Sequence, residues 1–131
     1  MGQQQLLLLV LSAIIVGIAI VVGINMFGTG AYQANRDAVL QDAVTIAAKA
    51  QEWYRKPSQL GGGNRAFDGV NLTTIGFPDT TANGIFTITG SGQTATVTGV
   101  GREDGDGNGT NFTVHIVVIP DKVDSTIVDD E

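Results

Sequence analysis

The residues best suited to do chemistry lie in one polar run, residues 101–111 (GREDGDGNGTN). Asp104, Asp106 and Asn108, followed by Gly109, reproduce the opening of a calcium loop, D-x-D-x-N-G. Oxygen-bearing side chains at alternate positions, with glycines between them, can wrap a hard cation. The helix–loop–helix form of that site also needs a bidentate glutamate at the twelfth position. Counted from Asp104, that position is His115, and no amphipathic helix follows it. The preferred reading is therefore a long polar hairpin loop without a cofactor. Calcium held by Asp104, Asp106 and Asn108 outside the helix–loop–helix plan is the alternative.

Other reactive groups are sparse. His115 is the single histidine. It alternates with Val114 and Ile116 in an apolar stretch, so it should face away from the core. With no serine or cysteine nucleophile pattern beside it, His115 makes a poor catalytic base. The chain has no cysteine, which removes both disulfides and thiolate chemistry. Gly61-Gly62-Gly63 does not sit between a strand and a helix, as a phosphate-cradling loop must. An enzyme is the least supported reading. Trp53 and Tyr54 end a helical pattern and read as core or interface packing rather than as an electron-transfer chain. Asn71, Asn108 and Asn111 each begin an N-x-Thr triplet and are candidate glycosylation sites. Such triplets also arise by chance in threonine-rich sequence. Thirteen acidic residues against seven basic ones leave a net charge of −6, which argues against nucleic acid as a partner.

The elements that must carry these groups are clearer than the groups themselves. Residues 6–27 (LLLLVLSAIIVGIAIVVGINMF) hold no charge, and only Ser12 and Asn25 are clearly polar. A helix of that length spans roughly 30 Å, the thickness of a bilayer's hydrocarbon core. A cleaved signal would normally have basic residues before a shorter apolar run. Here Met1-Gly2-Gln3-Gln4-Gln5 is uncharged, and residues 28–31 form only a weak cleavage site, so the stem is expected to be retained. Gly17 and Gly23 would weaken a lone helix but suit one whose neighbours approach closely. Gly28-Thr29-Gly30 is expected to act as a hinge or a locally stretched turn.

Beyond it, residues 31–56 place Val39, Leu40, Ala43, Val44, Ile46, Ala47, Ala50, Trp53 and Tyr54 at helical spacing, predicting one buried face. Arg55-Lys56 suits a helix C-terminus, and Pro57 ends it. The glycines at 61–63 then predict a flexible connection. Phe67, Val70, Leu72, Ile75 and Phe77 pin an irregular segment, with room for one short strand. Residues 85–89 and 94–98 predict a hairpin with a four-residue loop. Residues 111–119 (NFTVHIVVI) predict a third strand with Phe112, Val114, Ile116 and Val118 facing the core. Ile127-Val128, in the acidic tail, offers a further edge pairing. The fold class is α+β, with a long N-terminal α-helix on an antiparallel sheet of three to four strands. Residues 1–30 form the stem, 31–57 the amphipathic helix and 58–131 the β-rich head.

This plan resembles a type IV pilin or pilin-like filament subunit over the whole chain, as an architecture. In that family the first half of the helix is apolar and buries in the filament core, and the second half packs on a small sheet. The resemblance departs at several places. With Met1 as the first mature residue, position five is Gln5, where the family usually places a glutamate that neutralises a neighbour's N-terminal amine. The basic leader, the helix-melting proline and the C-terminal cysteine pair are not seen. The resemblance implies a structural subunit of an extracellular filament at the cell surface, with a membrane-embedded precursor. It also implies the pilus assembly machinery as a partner, and self-association into a helical homopolymer. Packing between subunits would fall to Gln5, Leu6, Leu9, Ile14, Gly17, Ile18, Val21, Gly23, Ile24 and Phe27. A membrane-tethered module that binds calcium or a partner, and a pseudopilin of a secretion machine, are the alternatives.

Overall fold

A computed structural model describes residues 2–104 and 107–128. One helix, α1 (Gly2–Arg55), runs 54 residues, about 80 Å at 1.5 Å per residue. The expected hinge at residues 28–30 is absent, because the helix passes through both glycines without a break. Each glycine weakens a helix by about 1 kcal/mol relative to alanine but removes no hydrogen bond. No proline is present to do so, and Thr29 Oγ1 donates back to the Asn25 carbonyl at 3.1 Å.

The second half of α1 supplies the core. Val39, Ala43, Ile46, Ala47, Ala50, Trp53 and Tyr54 are buried. At about 100° per residue these seven fall within an arc of about 120°. Leu40 lies at the edge of that arc and is partly buried. Val44, expected on this face, lies about 140° round from Val39 and is 46% exposed. Its spacings of four to Leu40 and three to Ala47 hold, but they carry it past the edge of the buried arc.

The head is an antiparallel meander of β1 (Gly84–Ser91), β2 (Thr94–Gly101), β3 (Thr113–Val118) and β4 (Val123–Val128), in the order β1-β2-β3-β4. Alternation sets its faces. Phe86 and Ile88, Ala95 and Val97, and Phe112, Val114, Ile116 and Val118 all turn toward α1 and are buried. The β1–β2 loop has two residues, not four, because Gly90 pairs with Ala95 and Ser91 with Thr94. Gly92 takes φ +59°, the left-handed conformation that a two-residue hairpin turn demands. The tail pairs as expected, with Ile127 opposite Val114 and Val128 opposite Thr113.

The triple glycine is a clamp rather than a flexible connection. After α1, a 3-10 turn (Ser58–Leu60) folds the chain back over the helix end. Gly63 N–H donates to the Trp53 carbonyl at 2.8 Å, Asn64 N–H to that of Lys56 at 3.0 Å, and Arg65 N–H to that of Tyr54 at 2.8 Å. These bonds satisfy carbonyls that a helix C-terminus leaves unpaired. Glycine is required for closeness: a Cβ on Gly63 would stand 2.4 Å from the Trp53 ring. Trp53 Nε1 in turn donates to the Gly61 carbonyl at 3.1 Å. Downstream, Phe67, Val70 and Leu72 are buried. The short strand foreseen in this segment is instead a helix, α2 (Leu72–Ile75), capped by Asn71, with an isolated bridge between Thr80 and Ile85.

Candidate functional site

The surface with the least internal explanation is the stem. All ten residues expected to pack between subunits lie on the first half of α1, outside the head. Leu6, Leu9, Ile14, Ile18, Val21, Ile24 and Phe27 are between 54% and 85% exposed. They do not form one stripe. Taking Gln5 as zero, Leu9 and Phe27 fall near 40°, Gly17 near 120°, Ile14 near 180° and Ile18 near 220°. The stem is apolar all the way round, and such a helix is stable only when enclosed. Sixteen large apolar side chains from Leu6 to Phe27 are at least half exposed, far beyond the few hundred Å² of apolar patch a soluble monomer tolerates. An 18-residue window of this helix reaches a mean hydropathy of 3.1 with none of it buried. The helix is therefore long and apolar enough to cross a membrane.

The glycines add shape. An alanine methyl at Gly17, Gly23, Gly28 or Gly30 would meet nothing within 4 Å. None of these glycines is needed for packing inside the chain. They leave shallow notches, one walled by Met26, Phe27, Gly30 and Ala31, where a neighbouring backbone can approach.

The join between helix and head is held by polar groups that the periodicity did not single out. Asn35 and Asp42 flank one edge of the buried arc. Asn35 Nδ2 donates to the Asn83 carbonyl at 2.8 Å, while its Oδ1 accepts from Arg102 N–H at 2.8 Å. The Asp42 carboxylate accepts from Asn83 Nδ2 at 2.9 Å and Thr81 Oγ1 at 3.3 Å. Arg102 closes the ring by donating to the Thr81 carbonyl at 3.0 Å. On the opposite edge, Gln51 Nε2 donates to the Ile119 carbonyl at 3.0 Å, and the Tyr54 hydroxyl donates to Gln93 Oε1. The seven-residue interval from Asn35 to Asp42, beside buried Val39, is the signal that marks this seam in the sequence.

The acidic loop is organised by its own backbone. Asp104 accepts from Gly107 N–H at 2.7 Å and from Gly109 N–H through its other oxygen. Asn108 Oδ1 accepts from Thr110 N–H at 2.7 Å. Asp106 lies outside the described residues. Among the described residues no three His, Cys, Asp or Glu side chains gather as a metal site. His115 faces away from the core, half-buried, with Nδ1 3.2 Å from Thr98 Oγ1. The three sequon asparagines are exposed. Asn71 is also the cap of α2, with Oδ1 accepting from Thr74 N–H at 2.8 Å.

Set beside known proteins, this architecture of a long apolar N-terminal helix and a small antiparallel sheet stands on its own geometry: no protein-family model, curated protein or solved structure matches the chain.

Proposed function

We propose that the chain is the structural subunit of an extracellular, type IV pilus-like filament. The subunit is held in the membrane by residues 1–30 and then bundled through them. The carrying observation is the contrast along α1: the stem is apolar on every side and is left uncovered by the described residues of its own chain, while the same helix continues into a head with its own core. Lipid satisfies such a stem first. Neighbouring stems satisfy it afterwards, because a helix meets its backbone hydrogen bonds internally and so passes between the two surroundings without losing any. Each large side chain kept from water in the bundle contributes roughly 1.5–3 kcal/mol, so a polymer of many copies is very stable. Head-to-tail contacts between identical subunits that do not close produce a helix. The assembly machinery of the membrane would extract and stack the subunits, and the heads would form the outer sheath.

Electron microscopy of material sheared from producing cells tests this reading. Thin filaments containing this chain are expected. Protein found only as a detergent-soluble monomer, with no filament at the surface, would overturn it.

A further inference from the structure

Within and just beyond the apolar run lie three polar side chains, Ser12, Asn25 and Thr29. Two of them need nothing from outside. Ser12 Oγ donates to the Leu8 carbonyl at 2.8 Å, and Thr29 Oγ1 donates to the Asn25 carbonyl at 3.1 Å. The Asn25 carboxamide makes no hydrogen bond with the described residues and stands exposed among Val22, Ile24 and Met26. It carries two donors and an acceptor. In a bilayer Asn25 lies near the end of the apolar run, within reach of the polar interface. Inside a bundle of stems that escape is closed, and an unpaired amide there is costly. A single asparagine in an apolar seam is also a known means of fixing helix register.

We infer that Asn25 of one copy pairs with Gln5 of the next, carboxamide to carboxamide, and that this pair sets the axial stagger of the bundle. The inference rests on the filament reading above. Twenty residues separate the two positions, which is about 30 Å along the helix and about 200° around it. Two parallel helices in one orientation meet through opposite faces, so Gln5 of one copy faces Asn25 of its neighbour. Gln3 and Gln4 lie only about 40° and 60° from Asn25 around the axis and turn away from that contact. The pairing is heterologous and leaves an open Gln5 at one end and an open Asn25 at the other, so it propagates. Asn25 paired with itself would close as a dimer.

The full chain supplies a clean test because it has no cysteine. Filaments of the double variant Gln5→Cys, Asn25→Cys are expected to give a ladder of covalent dimers, trimers and higher species on mild oxidation. Neither single variant should give a ladder. Filaments whose double variant stays monomeric on a denaturing gel overturn the pairing, as do equally abundant dimers from Asn25→Cys alone. Should the cysteines prevent assembly, a second series decides. Asn25→Leu should still enter the membrane but lose ordered filaments. The swap Gln5→Asn, Asn25→Gln keeps both carboxamides and should assemble. Wild-type axial spacing in Asn25→Leu, or equal failure of the swap, overturns the pairing. If the unaltered chain forms no filaments at all, the filament reading fails and takes the pairing with it, and micrographs of that chain alone reveal this.

Discussion

The two halves of α1 share a backbone and almost nothing else. In the second half the buried residues occupy about a third of the circumference, and the chain's own sheet covers them. In the first half apolar residues surround the axis and the described residues of the chain bury none of them. A helix with one apolar stripe can be completed by its own fold; one that is apolar all round needs a surrounding medium or several neighbours. The unbroken run through Gly28 and Gly30 joins these two requirements in one continuous helix.

The sharpest way to break this comparison is to separate the halves. A chain beginning at Ala31 is expected to remain a folded, cooperatively melting monomer, since every buried residue of α1 lies at or after Val39. Membrane association and filaments should disappear completely. If that shortened chain instead loses its cooperative transition, the head depends on the stem and the division fails.

The next effect belongs to the head alone. Phe112 is fully buried and meets Tyr32 edge-on, with ring centroids 5.3 Å apart. A Cβ on Gly101 would stand 2.1 Å from the Phe112 ring, so the sheet has been shaped around it. Phe112→Ala should cost about 3–5 kcal/mol. In a domain of about 100 residues each kcal/mol lowers the melting temperature by roughly 4–8 °C. Thermal denaturation of the shortened chain should show the loss, while the amount of full chain reaching the membrane changes little. The mirror experiment acts on the stem. Ile18→Lys places a charge near the middle of the apolar run, at about 2.5–3.5 kcal/mol against insertion. Membrane fractionation should register it, and the melting of the head should not.

What was legible beforehand follows the same division. The strand with Phe112, Val114, Ile116 and Val118 announced itself because strict alternation reflects a strand's two faces. The stem was legible because charge is missing over its entire length. Predictions failed where glycine carried the meaning. Gly28 and Gly30 looked like a hinge, yet glycine only permits a break, and nothing nearby competes for the helix hydrogen bonds. Gly61-Gly62-Gly63 looked like slack, yet its lack of side chains lets the chain press against Trp53 and Lys56. Composition cannot separate freedom from closeness; only the neighbours can. The polar seam of Asn35, Asp42, Asn83 and Arg102 was hidden for a related reason. The interval from Asn35 to Asp42 marks only its helical side, and the partners on the head lie up to 67 residues away.

The acidic loop tests how far a residue pattern can be trusted, and it carries the smallest effect. The spacing of Asp104, Asp106 and Asn108 suggests a cation. The observed bonds give Asp104 a task within the loop itself, since its two oxygens accept from the amides of Gly107 and Gly109, two glycines with φ of +82° and +90°. A carboxylate that gathers backbone N–H groups stabilises a turn without any metal. Asp104→Ala should therefore lower the stability of the shortened chain by about 1 kcal/mol. Asp104→Asn should recover much of that loss, because an amide oxygen still accepts one of the bonds. Millimolar calcium should leave the melting temperature of the unaltered chain where it was. A calcium-dependent rise that vanishes in Asp104→Asn would instead assign the loop to cation binding, because the asparagine preserves the turn but removes the charge a hard ion requires.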